Sequence, residues 1–279
     1  MTHKPTYEEV VRSNIEVHTV MADRYHEEPH WRPENQQKVS NRLLDLLPSE
    51  CGRALDVGCG SGFLTTKLQP LFESVDGVDV TPAMMNRIPE FPNVRITEAF
   101  AENLPFPDET FDMVCAYSFL HHLLEPEMAL REMHRVLKPG GSIYVDLEPN
   151  RAFWSLMTRV SENYSLEELS HLPVVKREIE ATLFVERKVE TEFGIEQETF
   201  RTAEFSKSVT GGFDARTLDE LLKSIGFIET DVHLDWFMGQ GDLMHKESFE
   251  AADAVLSFLQ SIRPASDALF KYLWFEGRK

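Results

Sequence analysis

Gly58, Gly60 and Gly62 alternate with Cys59 and Ser61 directly after the apolar run Ala54-Leu55-Asp56-Val57. Glycine takes positive φ at no steric cost, and without a Cβ it lets a ligand approach the backbone closely. The run reads as a buried strand that breaks into a turn and enters a helix. About twenty residues on, Gly77-Val78-Asp79-Val80 reads as a second apolar strand with one carboxylate near its end. A carboxylate there can accept hydrogen bonds from two ribose hydroxyls. The chemistry that suits these residues is the binding of a nucleoside cofactor.

The dinucleotide fingerprint G-x-G-x-x-G ends on a glycine that lets helix and strand close around a pyrophosphate. Here the sixth position is Phe63, and Asp56 before the turn would repel a phosphate. A nicotinamide-dependent oxidoreductase is therefore disfavoured. Asp56 suits a ligand carrying an amino group and a sulfonium. At this point the chain resembles the class I methyltransferases that use S-adenosyl-L-methionine and release S-adenosyl-L-homocysteine. The resemblance runs over residues 50–147, with weaker support out to 279. Asp56-Val57-Gly58-Cys59-Gly60-Ser61-Gly62 is similar to the family's first motif, and Gly77-Val78-Asp79-Val80-Thr81-Pro82-Ala83-Met84-Met85 to its second-strand motif.

The resemblance implies that Asp56, Gly58, Cys59, Gly60 and Gly62 line the cofactor, with Asp56 toward its amino end. It places Asp79 and Val80 at the ribose and Met84 near the adenine. Phe100-Ala101-Glu102-Asn103-Leu104-Pro105-Phe106 resembles the third-strand segment, but Phe100 stands where an acid usually reads the adenine amino group. The adenine edge then falls to Ala101, to packing on Phe100, and to Glu102, which is also read as a structural anchor. Tyr117 is implied beside the methionine portion.

Methyl transfer from a sulfonium is an in-line displacement, so the protein supplies alignment and a water-poor pocket. A hydroxyl or ammonium acceptor also needs a base. His121 and His122 follow the fourth strand, where the acceptor should approach, and imidazole titrates near neutral pH. Tyr25, His30, Trp31 and Arg32 stand in an N-terminal loop expected over the pocket, and Glu148 and Arg151 follow the fifth strand; these are the candidate substrate contacts. His171, His233 and His245 lack partners at metal-ligand spacing, and no metal is expected. A catalytically silent relative that binds cofactor is the alternative.

The elements that must hold these residues alternate. Strands are expected at 53–57, 74–80, 94–97, 111–117 and 142–147, separated by helices at 61–71, 82–89 and 126–137. Near-continuous apolar strands between helices mean a parallel sheet covered on both faces. Thr6-Tyr7-Glu8-Glu9 fits a capping box opening a helix at 7–24, and a second helix spans 34–47. Residues 148–212 break the rhythm, with helices at 151–161 and 174–190 and an extended stretch to Gly211-Gly212. Asp214 caps a helix to Ile225, a strand covers 227–236, a helix lies near 246–262, and a last strand covers 269–276. The expected fold is α/β, a Rossmann-like doubly wound seven-stranded sheet, mostly parallel with an antiparallel terminal strand. Its divisions are an N-terminal helical segment (1–48), the cofactor core (49–147), a cap over the substrate (148–212) and the completion of the sheet (213–279).

With 27% charged and 42% hydrophobic residues, the composition is that of a globular protein. The net charge of −19 disfavours nucleic acid and anionic membranes as partners. A small-molecule acceptor is expected, with the chain a monomer or homodimer. Cys51, Cys59 and Cys115 form no C-x-x-C pair, and no apolar segment follows the N-terminus; the expectation is a reduced, cytoplasmic protein.

Overall fold

A computed structural model describes residues 4–279; the N-terminal residues 1–3, part of the leader reading above, lie outside it. Five parallel strands come first: β1 (Arg53–Val57), β2 (Ser74–Asp79), β3 (Val94–Glu98), β4 (Phe111–Tyr117) and β5 (Leu137–Pro149). They are joined by β6 (Ile228–Phe237) and β7 (Phe270–Arg278) in the order β3-β2-β1-β4-β5-β7-β6. β7 is antiparallel to both neighbours, so the last two strands form the expected antiparallel pair and β6 is the edge. The order reverses at β1, between β2 and β4, and ligands in such sheets bind beyond the strand ends at that point.

The central strands are buried on both sides because they alternate between two apolar layers. Leu55, Val57, Val114 and Ala116 face α5 (Pro126–Val136) and α11 (Ala215–Ile225), meeting Leu130, Met133, Leu218 and Leu222. Ala54, Met113 and Cys115 face α2 (Pro33–Asp45) and α3 (Thr65–Leu68), meeting Val39, Leu43 and Leu68. Arg42 fastens α2 to the sheet, reaching Asp146 and Asp235 at 2.7 Å each while stacking on Trp274.

α1 (Tyr7–Met21) opens with the expected capping box, Thr6 and Glu9 each satisfying the other's backbone amide. Asp214 caps α11 through the Thr217 amide, and Gly226 ends it in the left-handed region. Several expectations are corrected. The stretch 25–33 is not an irregular loop; it forms 3-10 turns at Ala22–Glu27 and Pro29–Trp31, because consecutive i→i+3 amide bonds satisfy its backbone. The helices expected at 61–71 and 82–89 shrink to α3 and to α4 (Pro82–Met85).

The cap differs most. α6 (Arg151–Asn163) stands as read, but the helix expected at 174–190 breaks at Phe184 into α7 (Pro173–Leu183) and α8 (Val185–Phe193), which pack in different apolar clusters. The stretch before Gly211 is helical, not extended: α9 (Gln197–Ala203) and α10 (Phe205–Thr210). A tertiary contact explains it, since Phe200 and Ala203 bury against Val17 of α1. α12 (Gln240–Lys246) was not foreseen and precedes α13 (Phe249–Ser261).

Candidate functional site

The chain leaves β1 at Val57 and turns through Gly58, Gly60 and Gly62, all at positive φ (70°, 49° and 89°). The amides of Gly58 and Cys59 donate to the Val78 carbonyl at 2.8 and 2.9 Å, which ties the turn to β2. Asp79, at the end of β2, accepts from the Gly60 amide at 2.9 Å and from the Thr81 amide at 2.8 Å. One such bond leaves each carboxylate oxygen with further acceptor capacity. Asp56 is buried and accepts from the Thr65 hydroxyl at 2.6 Å. Burial pushes its carboxyl up to about 7 against the lowering effect of Thr65.

Two adjoining cavities open at this turn. The first, about 500 Å³, is mainly apolar; Val80, Ala101 and Glu102 line it, with Tyr7 and Val10 of α1 and with Phe100. The second, about 560 Å³, contains Asp56, Cys59, Gly60, Ser61, Met84 and Tyr117, with His18, Tyr25 and His30 from the N-terminal segment. Both include Gly58, Asp79, Phe119 and His122. Gly62 borders neither; its Cα instead faces Ile88.

The side chain that broke the dinucleotide pattern has a packing role. Phe63 lies 4.4 Å, ring centroid to centroid, from Tyr117 and meets Trp31 and His30 edge-on. The Tyr117 hydroxyl accepts from Asn35 Nδ2 at 2.8 Å, and the same amide group donates to the His30 carbonyl. α2 thereby fixes the wall of the second cavity. Burial, with Lys67 nearby, lowers His30 to about 4, so it is neutral near pH 7.

The two adjacent histidines differ. His121 borders neither cavity; its Nδ1 lies 2.8 Å from Glu148. Glu148 is fully buried and also accepts from the backbone amides of Phe119, Leu120 and His121. It is an anchor for the turn after β4, which corrects its reading as a substrate contact. Arg151 is likewise removed, because it is spent on the Gly212 carbonyl, and Arg32 is exposed and borders neither cavity. His122 borders both cavities, and burial and His121 push it well below its usual range.

Sequence reasoning missed Tyr7, His18, Asn35, Phe119 and the cap residue Glu204. Only the amphipathic patterning of 7–24 hinted at any of them, since they reach the site from α1, from α2, from the turn after β4 and from the junction of α9 and α10. Glu204 brings a carboxylate within 3.8 Å of both His121 Nε2 and His122 Nδ1. These three offer ligand atoms within 4.8 Å of one another. The Glu204 carboxylate is, however, already paired with the Lys207 ammonium, with which a cation would compete. Of the histidines weighed for metal from the sequence, His233 stacks on Trp274 and His245 lies 3.2 Å from Glu34.

Residues 55–145 match the family model described as a methyltransferase domain. This segment, about a third of the chain, is similar to the methyltransferase domain family. It holds the glycine turn, Asp79 and Tyr117. Among curated proteins, the chain is 37% identical over 107 residues to the uncharacterized methyltransferase YcgJ of Bacillus subtilis, covering 35% of this chain and 42% of that protein. It is 35% identical over 128 residues to the ubiquinone/menaquinone biosynthesis C-methyltransferase UbiE of Citrobacter koseri, covering 42% of this chain and 51% of the relative. The chain thus spans about half the length of the curated relatives it matches. Among solved structures, the [4+2]-cyclase SpnF aligns at a TM-score of 0.56 and 17% identity, over 99% of this chain and 97% of that one. A methyltransferase from Mesorhizobium loti aligns at 0.52 and 16% identity, over 86% and 96%. At such identities the likeness shows the fold alone, and SpnF illustrates that function resides in sites rather than folds. Among the described residues, no helix is long and apolar enough to cross a membrane.

Proposed function

We propose that the protein is an S-adenosyl-L-methionine-dependent methyltransferase that moves a methyl group to an oxygen or nitrogen, with carbon the less favoured alternative, of a small-molecule acceptor. The observation that carries this reading is the placement of Asp79, held by the glycine turn at the junction of an apolar and a polar cavity. The free acceptor capacity of Asp79 suits ribose hydroxyls. Val80, Ala101 and Phe100 suit a flat heterocycle in the apolar cavity. The other cavity holds Asp56 for an amino group, and the buried Ser61 hydroxyl there has no partner among the described residues, which leaves it for a polar ligand end. The bound cofactor would supply an already activated methyl group, leaving S-adenosyl-L-homocysteine.

The rest falls to this chain. Tyr117 and Phe63 exclude water beside the reaction site. His18, Tyr25 and His30 offer an acceptor a wall of rings, with His30 neutral near pH 7. His122 is the base, because it borders the cavities and His121 does not. The acidic surface and the absence of a basic cluster in the sequence favour a small molecule over nucleic acid. The quinone-biosynthesis names belong to relatives of whose length this chain covers about half, so the acceptor is not carried over. A cytoplasmic monomer or homodimer fits this reading.

The test is calorimetry with S-adenosyl-L-methionine and S-adenosyl-L-homocysteine, followed by mass spectrometry of an acceptor panel. Micromolar binding that weakens in Asp79→Ala, with a product heavier by one methyl group, is expected. Absence of binding to either nucleoside would reject the reading, whereas binding with no turnover on any acceptor would favour a silent binding module.

A further inference from the structure

His122 Nδ1 lies 3.0 Å from the Ala203 carbonyl oxygen, a group that only accepts. Nδ1 therefore carries the ring proton, and the lone pair sits on Nε2. Ala203 ends α9, and the next residue, Glu204, turns its carboxylate toward both imidazoles, 3.8 Å from His122 Nδ1 and from His121 Nε2. Lys207, one turn into α10, pairs with the same carboxylate. The cap is docked here by specific bonds: the Ser206 hydroxyl donates to the Leu123 carbonyl at 3.0 Å. Asn14 of α1 donates to the His122 carbonyl at 3.2 Å from the other side.

We propose that the cap completes the reaction site, with Glu204 as the positioning residue that keeps His122 oriented as a base and stabilises the imidazolium once it forms. This rests on the methyltransferase reading. In the resting protein Lys207 neutralises Glu204, so His122 stays neutral with Nε2 free. His122 Nε2 then takes the proton that the acceptor heteroatom releases as its electron pair moves to the methyl carbon and the methyl–sulfur pair returns to sulfur. The new positive charge lies beside the Glu204 carboxylate. The charged and titratable groups around His122 enter this balance: His18 from α1, His121 beside it with Glu148 of β5 behind, Glu204 and Lys207 from the cap, and Tyr25 and Asp79 across the shared cavity. Burial pushes Glu204 up, but Lys207, His122 and His121 outweigh it and hold the carboxyl below its usual range, so its charge persists.

The test follows nitrogen-15-labelled imidazoles by NMR in the full chain saturated with S-adenosyl-L-homocysteine, with His122 assigned through His122→Asn. In the wild type, His122 should show the Nδ1–H tautomer and stay neutral near pH 7. Lys207→Met, or Lys207→Gln where the first does not fold, leaves Glu204 without its ammonium. The histidine pair should then take up a proton at a pH about one unit or more higher than in the wild type. Glu204→Gln combined with the Lys207 change should restore wild-type titration. The proposal is overturned if the Lys207 variant folds yet titrates like the wild type, or if His122 shows the Nε2–H tautomer. One-to-one binding of Zn²⁺ that Glu204→Gln abolishes would also overturn it. Failure to bind S-adenosyl-L-homocysteine would reject the methyltransferase reading, and the imidazole shifts could still be read without it.

Discussion

The ring of Phe119 fills the space that a side chain at Gly58 would need: a Cβ built there overlaps the ring carbons. Phe119 and Gly58 both border the two cavities, and only glycine at 58 leaves room for the ring. Gly58→Ala must displace that ring and also hold alanine at a φ of 70°. The backbone term alone is about 1 kcal/mol, and we expect a fall in S-adenosyl-L-homocysteine affinity of at least about tenfold by calorimetry. Gly194→Ala is the control, with a φ of 71° but open space around it. It should lower the melting temperature slightly and leave binding unchanged.

Asp79→Ala removes the acceptor that fixes the Gly60 amide and faces both cavities. Hydrogen bonds to a charged group contribute about 1.5–3 kcal/mol, so affinity for the same nucleoside should fall on the order of 10- to 100-fold. Asp79→Asn should fall between. Unchanged heats in both variants would remove Asp79 from the binding site.

Glu148→Gln should destabilise the fold rather than alter substrate preference. The carboxylate accepts three backbone amides and faces the His121 ring from full burial. The amide offers one acceptor oxygen and sets an NH2 group against donors. A loss of about 3 kcal/mol in chemical denaturation is expected. A variant as stable as the wild type would return Glu148 to the list of substrate contacts.

Asp56 gives a pH signature. Its folded pKa of about 7 exceeds the ordinary 3.8, so the folded state holds the proton more tightly than the unfolded chain. That contribution is complete below about pH 4 and is lost as pH rises through about 7. Relative to Asp56→Asn, the wild type should lose stability across this window and level off above it. Melts of both proteins over the range check the difference, and parallel curves would contradict the assignment.

Much of the core was legible because its signals are local. A glycine at positive φ, a proline after Thr81 and a run of seven buried residues in β4 each mark their own structure within a few positions. The cap was less legible, because α9 is helical only through contacts with α1, nearly two hundred residues earlier. The substrate candidates divided on the same line. Tyr25 and His30 do face a cavity, whereas Glu148, equally plausible by position, turns inward because three nearby amides need an acceptor.

The sequence by itself determined that β1 ends in a glycine turn, that an acid closes β2, and that a sixth-position phenylalanine replaces the dinucleotide glycine. These depend on backbone conformation and side-chain volume, which each residue carries with it. Only the tertiary structure decided that His122 rather than His121 borders the cavities, that the Phe119 ring packs against Gly58, and that residues 148–212 bring Glu204 to the histidines. Those outcomes depend on which distant group satisfies each buried donor or acceptor, and that is settled when α1, the turn after β4 and the cap pack together.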